Sequence, residues 1–111
     1  SANGKALLAA LPGDTLDELL TSPLARFTDN TLVDPDELRA ELDVVRSEGV
    51  AYDYEEHTTG IAAIAAAITD DTDPIAAISI TTPADRFEVN EPRLRLELLA
   101  ATSRARELLS A

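Results

Sequence analysis

The chain has no cysteine and no tryptophan, and only two phenylalanines and two tyrosines among 111 residues. The missing thiols exclude disulfides, a thiolate nucleophile and sulfur ligation of a metal, and they give no hint of an oxidising compartment. The shortage of rings means that the core must be built from Leu, Ile, Val and Ala. Lysine is nearly absent: Lys5 is the single one among nine bases, set against 21 acids for a net charge of −12. Such a surface repels phosphate backbones, so direct DNA or RNA binding by this segment is not expected. No apolar run is long enough to cross a bilayer and no signal-peptide pattern is present, so the expected location is the cytoplasm, away from membranes. Four glycines and six prolines are ordinary numbers that do not indicate disorder.

What is present fits one domain with room for a real core. An acid excess with so little lysine suggests adaptation to high internal salt, as in a haloarchaeal protein, because salt screens the self-repulsion. The opening SANGKALLAALP starts almost at once in a helical pattern, which reads as a fragment or as a chain whose Ser1-Ala2-Asn3 are partly non-native.

Local signals give an order of elements. Over Gly4–Leu11, Leu7, Leu8 and Leu11 share a helical face, and Pro12-Gly13 breaks it. Thr15 and Glu18 form a T-x-x-E capping box for a short helix with Leu16, Leu19 and Leu20. Thr21 to Val33, with Pro23, Arg26 and Phe27, reads as a loop. Asp34 and Pro35 then open a helix with Leu38, Leu42 and Val45 inward, Glu37 completing a D-x-x-E box, Arg46 in the last turn and Gly49 as the stop. After Gly49 the period changes: Val50–His57 reads as a strand, and Thr58-Thr59-Gly60 as a turn or bulge. Ile61–Ile68 fits strand or helix, and the acidic turn Asp70–Pro74 argues for a hairpin. Ile75–Thr82 alternates cleanly, Ala76, Ile78 and Ile80 on one face and Ala77, Ser79 and Thr81 on the other. Asn90 is expected to cap a last helix to about Ser110, with a stripe of Leu94, Leu98, Ala101, Ala105 and Leu108. The resulting class is α+β, an antiparallel sheet covered by helices.

Candidate chemistry is sparse. Asp53, Glu55 and His57 would share one face of a regular strand, where a metal or an acid–base pair of Asp53 and Glu55 could sit. One imidazole and no thiolate make a poor metal set, so no metal and no cofactor are expected. Glu55, Glu56 and His57 read more simply as a solvated strand end. Asp53, between two tyrosines, is an unusual strand residue and a better candidate for a ligand or a buried network. Ser79 and Thr81 present two hydroxyls to one side, which either hydrate an outer face or line a pocket. No G-x-x-x-x-G-K, G-x-S-x-G or H-E-x-x-H is present, so an enzyme is not expected.

Taken together, A-N-G-K-A-L-L-A, TLVDPDELRAELDVVRSEGVAYDYEE and GIAAIAAAI…AAISITTP resemble the isocitrate-lyase-regulator (IclR) family over essentially the whole chain. The resemblance implies a GAF/PAS-like effector domain lacking its first strands, and a winged helix-turn-helix for DNA binding lying outside this chain. It implies a small-molecule effector, with self-association into a dimer or tetramer. It also places an effector pocket at the backbone around Ala2 and Asn3, at Asp53, and at Ser79 and Thr81. The pocket cysteine of some members falls at Ala63, a departure that enlarges the cavity and puts the ligand class in doubt. A purely structural oligomerisation module is the competing reading.

Overall fold

The structure is a computed structural model that describes all residues except 22–25, 27, 71, 72 and 111, and the side chains of all of these except 73 and 110. The expected loop residues Pro23 and Phe27 and part of the acidic turn therefore lie outside the described residues. The elements run α1 (Ala2–Ala9), α2 (Gly13–Leu19), α3 (Pro35–Glu48), β1 (Ala51–Tyr54), β2 (Ile61–Asp70), β3 (Asp73–Pro83) and α4 (Ala84–Ser110). The strands form an antiparallel sheet in the order β1-β2-β3.

The α3 helix follows its local signals. The Asp34 carboxylate accepts from the Asp36 amide at 2.9 Å, Pro35 takes the first turn, and Gly49 stops the helix at φ 81°. That left-handed backbone strains any residue with a Cβ, which is why glycine stands there. Leu38, Leu42 and Val45 are buried.

Pairing with strands on both sides settles the helix-or-strand ambiguity of Ile61–Ile68 as strand, and its alanines set the depth of the layers. On one face Ala63 and Ala65 meet Ala2, Ala6 and Ala9 of α1, together with Leu38, Leu42 and Val45 of α3. On the other face Ala62, Ile64 and Ala66 meet Phe87, Leu94 and Leu98 of α4. Small side chains on both α1 and the sheet let their backbones approach closely.

Several expectations shift. The inward face of α1 is Ala2, Lys5, Ala6 and Ala9, while Leu7, Leu8 and Leu11 are only half-buried, because an alanine sheet surface leaves no depth for leucine beneath this helix. Thr15 is not a cap: α2 begins at Gly13 after Pro12, and the Thr15 amide donates to Asp14 instead. Asn90 is not a cap either. The α4 helix starts two turns earlier, at Ala84, which donates to Gly60 O, and Asn90 Nδ2 donates back to Arg86 O at 2.9 Å. Pro92 lies inside it, and the carbonyl it leaves unpaired belongs to exposed Glu88. The buried stripe of α4 is Phe87, Leu94, Leu98 and Thr102, whereas Ala101 and Leu108 are exposed.

Candidate functional site

The β1 strand ends at Tyr54, three residues short of the expected span, and this ending builds the site. Glu55 adopts φ 61°, so the chain turns. Side chains of the preceding loop seize the carbonyls there: Asn30 Nδ2 donates to Tyr54 O at 3.1 Å, Thr28 Oγ1 to Glu55 O and Thr31 Oγ1 to Glu56 O. Glu55 closes the turn by accepting from the Gly60 amide at 2.8 Å. Asp53, Glu55 and His57 therefore do not share a strand face. A metal or acid–base pair across Asp53 and Glu55 has no geometry, because Asp53 faces α1 and Glu55 faces a groove on the opposite side of the sheet.

Glu56 overturns its reading as a solvated strand end. It is buried, and both its carboxylate oxygens accept from Lys5 Nζ at 2.7 Å. The same ammonium donates to Glu41 Oε1 at 2.5 Å and to Tyr52 O at 2.7 Å. Glu56 Oε2 also accepts from the Tyr54 amide at 3.1 Å, and the Glu56 amide donates to Asp53 Oδ1 at 2.7 Å. Lys5 is only 5% exposed, which is tolerable for a cation only with such a complete set of acceptors. Sequence reasoning missed Lys5. The available signal was that the chain's sole lysine stands among eight arginines.

The sheet places the other candidates in rank. Asp53 pairs with Ala63, and Ala63 with Thr81, so these three residues lie in one row across the strands. The next row on that face is Ala51, Ala65 and Ser79. A cavity of about 180 Å³ opens over these rows, with Ser1, the cap of α1, and Asn3 as one wall. Asp53, Ala63, Ser79 and Thr81 line it, and His57 and Thr58 stand at its side. Ala2 contributes no lining side chain: its methyl is buried in the core, and Ser1 and Asn3 flank its backbone at the wall. Ser1 Oγ accepts from the Gly4 amide, leaving the Ala2 and Asn3 amides as the helix-start donors without intrahelical acceptors. Asp53 Oδ2 has no donor among the described residues. Asp53 lines the cavity while its Oδ1 is held by the Glu56 amide.

A larger groove of about 680 Å³ lies on the other face, against α4. Tyr52 and Tyr54 stack there at 5.7 Å, and Phe87 stands edge-on to both. Its charges are Glu48, Glu55, Glu88 and Glu91 against Arg95. Burial, then the hydrogen bond from Tyr52 to Glu91, push the Tyr52 hydroxyl up to about 12. Four carboxylates against one guanidinium make a poor place for an anion, whereas the smaller cavity offers amides, hydroxyls and a single carboxylate.

Residues 1–107 match the family described as bacterial transcriptional regulator IclR C-terminal. The chain belongs to that family. The IclR-type chain is 47% identical over 103 residues to the HTH-type transcriptional regulator Rv1719 of Mycobacterium tuberculosis, covering 93% of this chain and 40% of that protein. It superimposes on a transcriptional regulator from Rhodococcus sp. RHA1 with a TM-score of 0.92 and 32% identity, over 98% of this chain and 46% of the other. A double mutant of the PobR transcription factor inducer binding domain from Acinetobacter, solved with 3-hydroxybenzoic acid, matches with a TM-score of 0.88 and 26% identity, over 97% of this chain and 64% of that one. These IclR-type relatives are transcription regulators and not enzymes, and this chain spans about two-fifths of the length of the Mycobacterium protein. Among the described residues, no helix is long and apolar enough to cross a membrane.

Proposed function

We propose that this chain is the effector-sensing segment of a cytoplasmic transcription regulator, and that its ligand is a small hydroxy- or oxo-carboxylate. The row Asp53–Ala63–Thr81, with Ser79 in the next row and the start of α1 opposite, carries the reading. The ligand carboxylate takes the Ala2 and Asn3 amides and the Ser79 and Thr81 hydroxyls. Asp53 Oδ2, at the other wall, accepts from a ligand hydroxyl or hydrate. Ala63 deepens the floor between them and makes room for substituents. Binding biases the arrangement of a separate DNA-binding domain only as far as the effector's affinity differs between the two arrangements. In calorimetry on the full-length protein, Asp53→Ala and Ser79→Ala each weaken effector binding without loss of fold. Full affinity in both variants contradicts the pocket.

A structural, oligomerising role has its own observation. Among the described residues β3, an edge strand of eleven residues, is paired on one side only, with β2, and Val89 (85% exposed) and Leu96 (72%) stand out on α4. If thermal shift with a metabolite panel finds no ligand while light scattering finds a stable dimer or tetramer, this second reading replaces the first. The acidic composition supports a salt-adapted host for the protein, which the dependence of stability on KCl tests.

A further inference from the structure

We propose that Lys5 is the positioning residue for Asp53: one buried ammonium sets both the orientation of that carboxylate and the width of the cavity. The inference rests on the reading of the cavity as an effector site. Lys5 does not line the cavity, yet it holds the peptides on both sides of Asp53. It donates to Tyr52 O, the carbonyl of the peptide that enters Asp53. Through the Glu56 carboxylate it holds the Tyr54 amide, the peptide that leaves Asp53. Glu56, gripped at its side chain, turns its own amide onto Asp53 Oδ1 and so leaves Oδ2 to the ligand. Lys5 also belongs to α1, two residues beyond Asn3 at the facing wall, so the same ammonium ties the two walls together.

The residue type follows from this geometry. Three groups of acceptors converge on one atom within 2.5–2.7 Å. A lysine ammonium is a compact point charge with three donors, whereas a guanidinium spreads its donors over a planar fork. The chain uses arginine for its other eight bases and lysine at this one point. A role confined to stability would make Lys5 and Asp53 independent in binding, while positioning makes them act as a unit.

The test is calorimetric titration of the full-length protein with D-glycerate, L-lactate and pyruvate, using the probe that binds the wild type most tightly. Lys5→Met and Asp53→Ala are each expected to weaken binding about tenfold, and the double variant to lose clearly less than the product of the two losses. Additive losses overturn the proposal, as does a Lys5→Arg variant with wild-type affinity. If Lys5→Met does not fold, Glu56→Gln keeps the shape and carries the test: it is expected to weaken binding about threefold or more and to speed exchange of the residue 56 amide. If the wild type binds none of the three probes, the effector reading is what fails. Positioning is then judged by a crystal structure of Glu56→Gln, where an Asp53 carboxylate unmoved from its wild-type rotamer overturns it.

Discussion

The buried ion cluster makes the sharpest prediction for stability. In Lys5→Met the ammonium is lost and the Glu56 carboxylate, 10% exposed, is left with one backbone donor at 3.1 Å. Removing one partner of a buried pair costs about 3–5 kcal/mol. That is a large share of the ~5–15 kcal/mol that holds an ordinary domain together. Glu41 is the contrast: its side chain is 32% exposed, so it rehydrates on its own, and Lys5 keeps Glu56 and Tyr52 O. Glu41→Ala should therefore cost about 1 kcal/mol, on the scale of a part-exposed pair. The double variant Lys5→Met/Glu56→Leu removes both charges and should lie within about 2 kcal/mol of wild type, because apolar replacement of a buried pair is close to neutral. Urea unfolding followed by circular dichroism reads these proteins and the Glu56→Leu single variant, with the slope unchanged if only stability differs. A Lys5→Met cost below about 1 kcal/mol, or a double variant at the sum of its singles, would falsify the view that Glu56 depends on Lys5.

Three further outcomes are expected. Tyr52 should ionise near pH 12 in absorbance titration, and Glu91→Gln should bring it down; because the folded value lies above the ordinary 10, the stability it reflects is complete below pH 10 and is lost as pH rises through 12. Gly49→Ala should destabilise by about 1 kcal/mol from backbone strain alone, since nothing lies within 4 Å of the added Cβ; a neutral result contradicts the φ of 81°. The urea midpoint should rise as KCl goes from low to molar concentration, because a net charge of −12 repels itself and salt screens it; a flat response removes the case for salt adaptation.

What could be read from the residues depended on how local each cause was. Asp34, Pro35 and Gly49 mark α3 because cap, first turn and stop are chemistry within a few positions. The alternation of Ser79 and Thr81 against Ile78 and Ile80 put both hydroxyls on one face, and strand register then aligned Thr81 with Ala63 and Asp53. The end of β1 was not legible, because the groups that stop it, Thr28, Asn30, Thr31 and Lys5, lie 24 to 51 positions away from their partners. The same distance hid the Lys5–Glu56 pair, so that Glu56 looked like one more surface acid. In α1 a leucine pattern pointed to the wrong face, since the alanine face of the sheet selects Ala2, Ala6 and Ala9 by size. At Asn90, good capping chemistry was overridden by the two turns from Ala84 that bury Phe87.

The central claim is that the cavity between α1 and the sheet takes the effector, and backbone amide chemical-shift mapping tests it most directly. Titrating D-glycerate, L-lactate or pyruvate into the labelled full-length protein should move the amides of Asn3, Asp53, Ala63, Ser79 and Thr81 together along one saturating curve. Shifts confined to Tyr52, Phe87 and Glu91 in the opposite groove, or no saturating shift with any of the three, would contradict it.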